Sequence, residues 1–133
     1  RLIKQVVAHD RDTLEDNMGM FYQWAMLGEG CANPRDVRPS FDVLYRYAGF
    51  FLNTTGGRAY MFRRGLKVRL LASYYSVQII YQADKAGKNN YGINVLPHIK
   101  VLMEEMGNYP DLVYKETYLE TLTKIKAFYS GRR

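Results

Sequence analysis

A single cysteine, Cys31, leaves this chain of 133 residues without an internal disulfide. The fold must therefore rest on its core, and a reducing, cytoplasmic location is expected. Histidine is almost as scarce, with His9 and His98 alone. His9-Asp10 is the dipeptide of metal-dependent phosphohydrolases, but that chemistry needs several further His and Asp ligands, and two histidines in different helices cannot supply them. Cys31 lies in a Gly/Pro loop with no activating pattern around it, so it does not read as a nucleophile. No catalytic residue, metal site, cofactor or small-molecule substrate is expected, and the chain does not read as an enzyme. No apolar run approaches the roughly 18 residues of a membrane span, so no membrane partner is expected either.

The most informative absence is of acid. From Val43 to Ala83 there is no Asp and no Glu, while Arg46, Arg58, Arg63, Arg64, Lys67 and Arg69 give a local charge of +6. Residues 1–42 hold five basic and seven acidic side chains, and residues 84–133 hold eight and six. The excess charge of the chain thus sits in one central segment. That segment is also rich in aromatics, with Tyr60, Phe62, Tyr74 and Tyr75 interleaved among the cations. Arginine for phosphates beside rings for bases is the composition of a single-strand binding surface. Of those four rings, Tyr60 is the one expected to be exposed.

What is present reads as helix throughout. No strand-type alternation of useful length occurs, and the expectation is an all-α fold, a compact bundle of five or six helices over a single domain, residues 1–133. Leu2, Ile3, Val6 and Val7 suggest a short first helix. Leu14, Met18, Phe21 and Ala25 mark a second, which Gly28 and Gly30 stop. Ser40 is placed to cap a third, with Phe41, Leu44, Tyr45, Ala48, Phe51 and Leu52 on its stripe. The spacing then predicts a long helix from about Arg58 to Ala83. Leu66, Leu70, Val77 and Tyr81 share one of its faces, and Val68, Leu71, Tyr75 and Ile79 share the opposite one. A helix apolar on two sides belongs at the centre of a bundle. Its first turns, to Arg69, are expected to protrude with their charge, and residues 70–83 to be buried scaffold.

After a basic turn carrying Lys85 and Lys88, Asn94 is expected to cap the next helix, with Pro97 in its first turn and Gly107 just past its end. Pro110 is expected to open the last helix, which carries Tyr114, Tyr118, Leu122, Ile125 and Tyr129 on one face. Glu104 and Glu105, about 100° apart on a helix, read as a solvated face. Asp10, Asp12, Glu15 and Asp16 read as acids that favour a helix N-terminus through its dipole.

Two features converge on an anion. Thr55, Gly56 and Gly57 are expected to form a turn whose open backbone N–H groups meet the positive end of the next helix, an arrangement that suits a phosphate; the other reading is a plain helix-to-helix turn that needs positive φ. It lacks the Gly-Lys-Ser/Thr ending of a nucleotide-hydrolysis loop. The expected nucleic-acid contacts are Arg58, Tyr60, Arg63, Arg64, Lys67, Arg69, Lys85 and Lys88. No base-edge reader is recognisable, so no sequence preference follows.

From Leu66 onward the chain resembles the small, all-helical subunit of multi-subunit CRISPR effector complexes. The residues that carry the resemblance are Tyr75-Ser76-Val77-Gln78-Ile79-Ile80-Tyr81-Gln82-Ala83, the basic turn and apolar helix after them, and the closing run from Tyr118 to Gly131. Upstream, Thr54-Thr55-Gly56-Gly57-Arg58 partly echoes the Thr-Thr-Ser-x-x-Arg turn of family members. Where the family tends to place Gly-Arg after Ala83, this chain has Asp84-Lys85. The resemblance implies a non-catalytic subunit, stacked in copies along an assembly with other subunits and contacting guide RNA, target RNA or a displaced single strand of DNA. In some such systems it is the C-terminal piece of a larger subunit, with which a chain opening on Arg1 is compatible. Two other readings fit a small, basic, Tyr-rich helical chain. One is a DNA-wrapping coat protein of a filamentous archaeal virus; the other is a helical adaptor for an acidic protein.

Overall fold

The computed structural model describes residues 13–27, 39–53 and 65–131. Of these, 79% are helical, and five α-helices account for the described fold without a strand. The all-α bundle expected from periodicity is the architecture observed. Helix α1 spans Thr13–Tyr22 and runs on into a π-helical turn, Gln23–Leu27. Helix α2 spans Phe41–Asn53, α3 Leu66–Lys85, α4 Leu96–Asn108 and α5 Lys115–Ser130. Among the described residues no helix is long and apolar enough to cross a membrane.

Helix α3 is the axis of the bundle and packs against each of the other four, most extensively against α2. Its two apolar faces explain this. Leu70, Leu71, Val77, Ile80 and Ala83 are all fully buried. Facing them are Tyr45, Ala48 and Leu52 of α2, Ile99, Leu102 and Met106 of α4, and Tyr118, Leu122 and Ile125 of α5, in one continuous core. Burial of a large aliphatic side chain contributes roughly 1.5–3 kcal/mol each. Ser40 caps α2 as its position suggests, accepting from the Val43 N–H at 3.2 Å.

The structure corrects several expected boundaries. The long helix does not run unbroken from Arg58. Gly65 stands at φ 97°, ψ 160°, outside helical space, and α3 begins at Leu66. Leu66 itself is exposed rather than core, because it starts the helix at the rim of the bundle. Gly107 lies within α4, which continues to Asn108. Pro110 does not open α5; the helix starts at Lys115. Phe21, expected on the inner stripe of α1, is exposed, while Tyr22 turns inward and packs on Tyr75 at 5.0 Å between ring centroids. The helix expected at residues 2–7, the stop at Gly28 and Gly30, and the turn at Thr55, Gly56 and Gly57 lie outside the described residues.

Candidate functional site

The cations of the acid-free segment fare differently in three dimensions from what their local sequence suggests. Lys67 and Arg69, both expected at a contact surface, are turned into the protein. The Lys67 ammonium lies 3.2 Å from Glu15 Oε2 and 3.7 Å from Asp111 Oδ2, with its side chain only 11% exposed. Arg69 donates from Nη1 and Nη2 to the two carboxylate oxygens of Glu105, each at 3.3 Å. That fork joins α3 to α4, and Glu105 is thereby a partner of the core rather than part of a purely solvated face. Arg46 pairs with Asp42 at 3.0 Å on the exposed side of α2. The acids missing from the segment are supplied by distant parts of the chain. Helix α3 passes the carboxylates of α1 and α4 side by side, which no local window of sequence reveals. Arg58, Tyr60, Arg63 and Arg64 lie outside the described residues.

Glu15 is the centre of this inner cluster. Its carboxylate accepts from the backbone N–H groups of Val113 at 2.8 Å and Tyr114 at 3.1 Å, and from the Tyr118 hydroxyl at 2.8 Å. The acid expected to favour the start of its own helix instead serves the N-terminal end of α5, where free N–H groups and the helix dipole favour negative charge. Asp16 beside it accepts from the Tyr114 hydroxyl at 2.6 Å. Tyr22, Tyr74, Tyr75 and Tyr118 pack around the cluster at centroid distances of 4.7–5.0 Å. Burial pushes the Tyr22 hydroxyl up to about 12, with Tyr74 adding to the effect. Burial, followed by the bond to Glu15, also raises Tyr118. These rings are structural, consistent with residues 70–83 as scaffold.

No protein-family model, curated protein or solved structure matches the chain. The remaining geometry is therefore read on its own terms.

Lys85 and Lys88, expected in a basic turn, are exposed at one end of the bundle. The turn is built closely. Its Lys88 N–H donates to the Ala83 carbonyl at 2.7 Å and its Gly87 N–H to the Asp84 carbonyl at 3.1 Å. This is a Schellman closure of α3, with Gly87 at φ 70° in the left-handed position that favours glycine. Asn89 then spends its whole side chain on the turn. Its Oδ1 accepts from Tyr45 Oη at 2.7 Å and the Ile93 N–H at 3.0 Å; its Nδ2 donates to Asp84 Oδ1 at 3.0 Å and the Ile93 carbonyl at 2.8 Å. Tyr45 Oη also accepts from the Tyr91 N–H at 2.8 Å. Asp84, the one acid of the turn, takes a second hydrogen bond from the Tyr129 hydroxyl of α5. The turn's acid thus faces inward while its cations face out. The Lys85 ammonium sits 5.0 Å from the centroid of the Tyr81 ring.

Tyr45, Asn89 and Tyr91 were not recognised as site residues from sequence. A Tyr among Asn and Gly between two helices is the one local hint, but Tyr45 lies far away in the chain. A separate cleft of about 790 Å³ opens between α1, α2 and α3, lined by Met18, Phe21, Tyr47, Phe50 and Ile79 among others. Its described lining carries no cation.

Proposed function

We propose that this chain is a non-catalytic nucleic-acid-binding subunit of a multi-copy nucleoprotein assembly in CRISPR-type antiviral defence. It contacts guide or target RNA, or a displaced strand of DNA, through basic side chains: Lys85 and Lys88 at the C-terminal end of α3 and, on the sequence reading, Arg58, Arg63 and Arg64. The observation that carries this reading is how the cations divide. Arg46, Lys67 and Arg69 are each matched by a carboxylate, whereas Lys85 and Lys88 project from a turn whose acid is directed inward. Lys67 and Arg69 leave the contact set and become structural. From Leu66 onward the elements run as a central helix, a basic turn, an apolar helix and a closing helix. Its partners on this reading are RNA or single-stranded DNA, other subunits and copies of itself, in the cytoplasm.

The test is fluorescence anisotropy with labelled single-stranded RNA, single-stranded DNA and duplex DNA of one length, across a salt series. Preference for single strands is expected, with affinity falling steeply as salt rises because each neutralised phosphate releases counterions. Charge reversal at Arg58, Arg63 and Arg64 should abolish binding while circular dichroism keeps its helical signal. Preference for duplex, with assembly along it, would favour the coat-protein reading. Absence of salt-sensitive binding would favour an adaptor for an acidic protein.

A further inference from the structure

Tyr91 is among the most exposed aromatic side chains described, at 69%, and it is held unusually well for a residue in a turn. Its ring lies parallel to that of Tyr45, with an interplanar angle of 8° and centroids 5.9 Å apart. Tyr45 is 2% exposed, so the Tyr91 ring runs parallel to a core ring and offset from it, while most of its own surface meets solvent. Its backbone N–H donates to the Tyr45 hydroxyl at 2.8 Å, and the neighbouring Gly92 N–H donates to the Asn89 carbonyl at 3.1 Å. A ring whose backbone is already hydrogen-bonded into a turn loses less entropy on stacking than one on a mobile loop. Three residues before it stands Lys88, within about 11 Å along the chain, and Lys85 closes the helix just before.

We propose that Tyr91 is a stacking platform for an unpaired nucleobase, with Lys85 and Lys88 neutralising the phosphates of the same strand. This rests on the nucleic-acid reading above and names the chemistry of one part of that surface. An exposed ring that lies parallel to a buried one offers its open face to a base, and accepts any base, since each has a π-face. A base paired within a duplex cannot offer that face, so the platform selects single strands by geometry alone. The exposed cleft aromatics Phe21 and Phe50 differ in that no cation lies among the described lining of their cleft.

The test compares wild type with Y91F, Y91A and Y91L, using labelled oligouridine RNA, oligothymidine DNA, an abasic strand of equal length and a duplex. Y91L keeps apolar contact with Tyr45 but has no aromatic face, and thermal melts establish that each variant is folded. Expected is a loss of single-strand affinity of roughly 5- to 150-fold in Y91A and Y91L, with Y91F near wild type. The salt slope should stay unchanged in these variants, because stacking releases no counterions, whereas K88A should lower it by about one phosphate. The abasic strand and the duplex should bind wild type and Y91A alike. If wild type binds single strands and Y91A binds them equally well, the platform is overturned while the nucleic-acid reading stands. An equal loss on the abasic strand also overturns it, since the effect would then not come from a base. If wild type binds no nucleic acid even at low salt, both proposals fall.

Discussion

A fully buried carboxylate is tolerated when every lone pair finds a donor, and Glu15 comes close to that condition. Two backbone N–H groups, one hydroxyl and the Lys67 ammonium surround it. Replacing it with Ala would strand the ammonium and the start of α5 together. Glu15→Ala should cost about 3–5 kcal/mol in urea unfolding, the range for breaking a buried pair from one side. Lys67→Ala should also destabilise the protein, yet leave the salt slope of nucleic-acid binding unchanged, because its charge is already matched inside. A drop of the slope by about one phosphate would return Lys67 to the contact surface. Neither role was legible locally. Glu15 and Lys67 are far apart in the chain, and a cation in an acid-free stretch looks unpaired until α1 and α3 are seen to be neighbours.

Among the elements, α3 was read most fully in advance. Period and composition alone showed a helix apolar on two sides; Leu70, Leu71 and Val77 of those faces are core, Val68, Tyr75, Ile79 and Tyr81 are only partly buried, and Leu66 is exposed. Leu70→Ala, at a fully buried position facing α2 and α4 in the same core, should cost about 2–5 kcal/mol, measured by denaturant unfolding. A near-neutral result would mean that its environment collapses around the lost atoms. The ends of the elements were read less well, because they depend on backbone states that several residue types can adopt. Gly107, expected just past the end of α4, lies inside it, whereas Gly87 closes α3 in the left-handed position. Gly87→Ala should therefore destabilise the protein, by more than ~1 kcal/mol, since an L side chain is strained at φ 70°. Gly107→Ala, in the last turn of α4 with nothing within 4 Å of an added Cβ, should be neutral or mildly stabilising.

At the scale of the whole molecule, the tyrosine-rich interior makes stability depend on alkaline pH. Folded Tyr22 keeps its proton to about pH 12, whereas an ordinary tyrosine titrates near 10. Burial raises Tyr74, Tyr75 and Tyr118 as well. A raised acid value means that the folded state holds protons the unfolded chain would release. The associated stability is whole below pH 10 and drains away as pH rises towards about 12. Ultraviolet tyrosinate absorbance should show part of the tyrosine complement ionising normally, and the rest only together with loss of the helical signal. Smooth titration of every tyrosine near pH 10 with the fold intact would contradict this packing.

Helical class, the two-sided central helix and the accumulation of positive charge follow from the order of residues, because periodicity and charge are properties of the chain itself. Which of those charges face solvent was decided by the tertiary structure. It brought Glu15, Asp111 and Glu105 to Lys67 and Arg69, and it set Tyr45 beneath Tyr91. Pairings of that kind join residues tens of positions apart, and they exist only once the helices have packed.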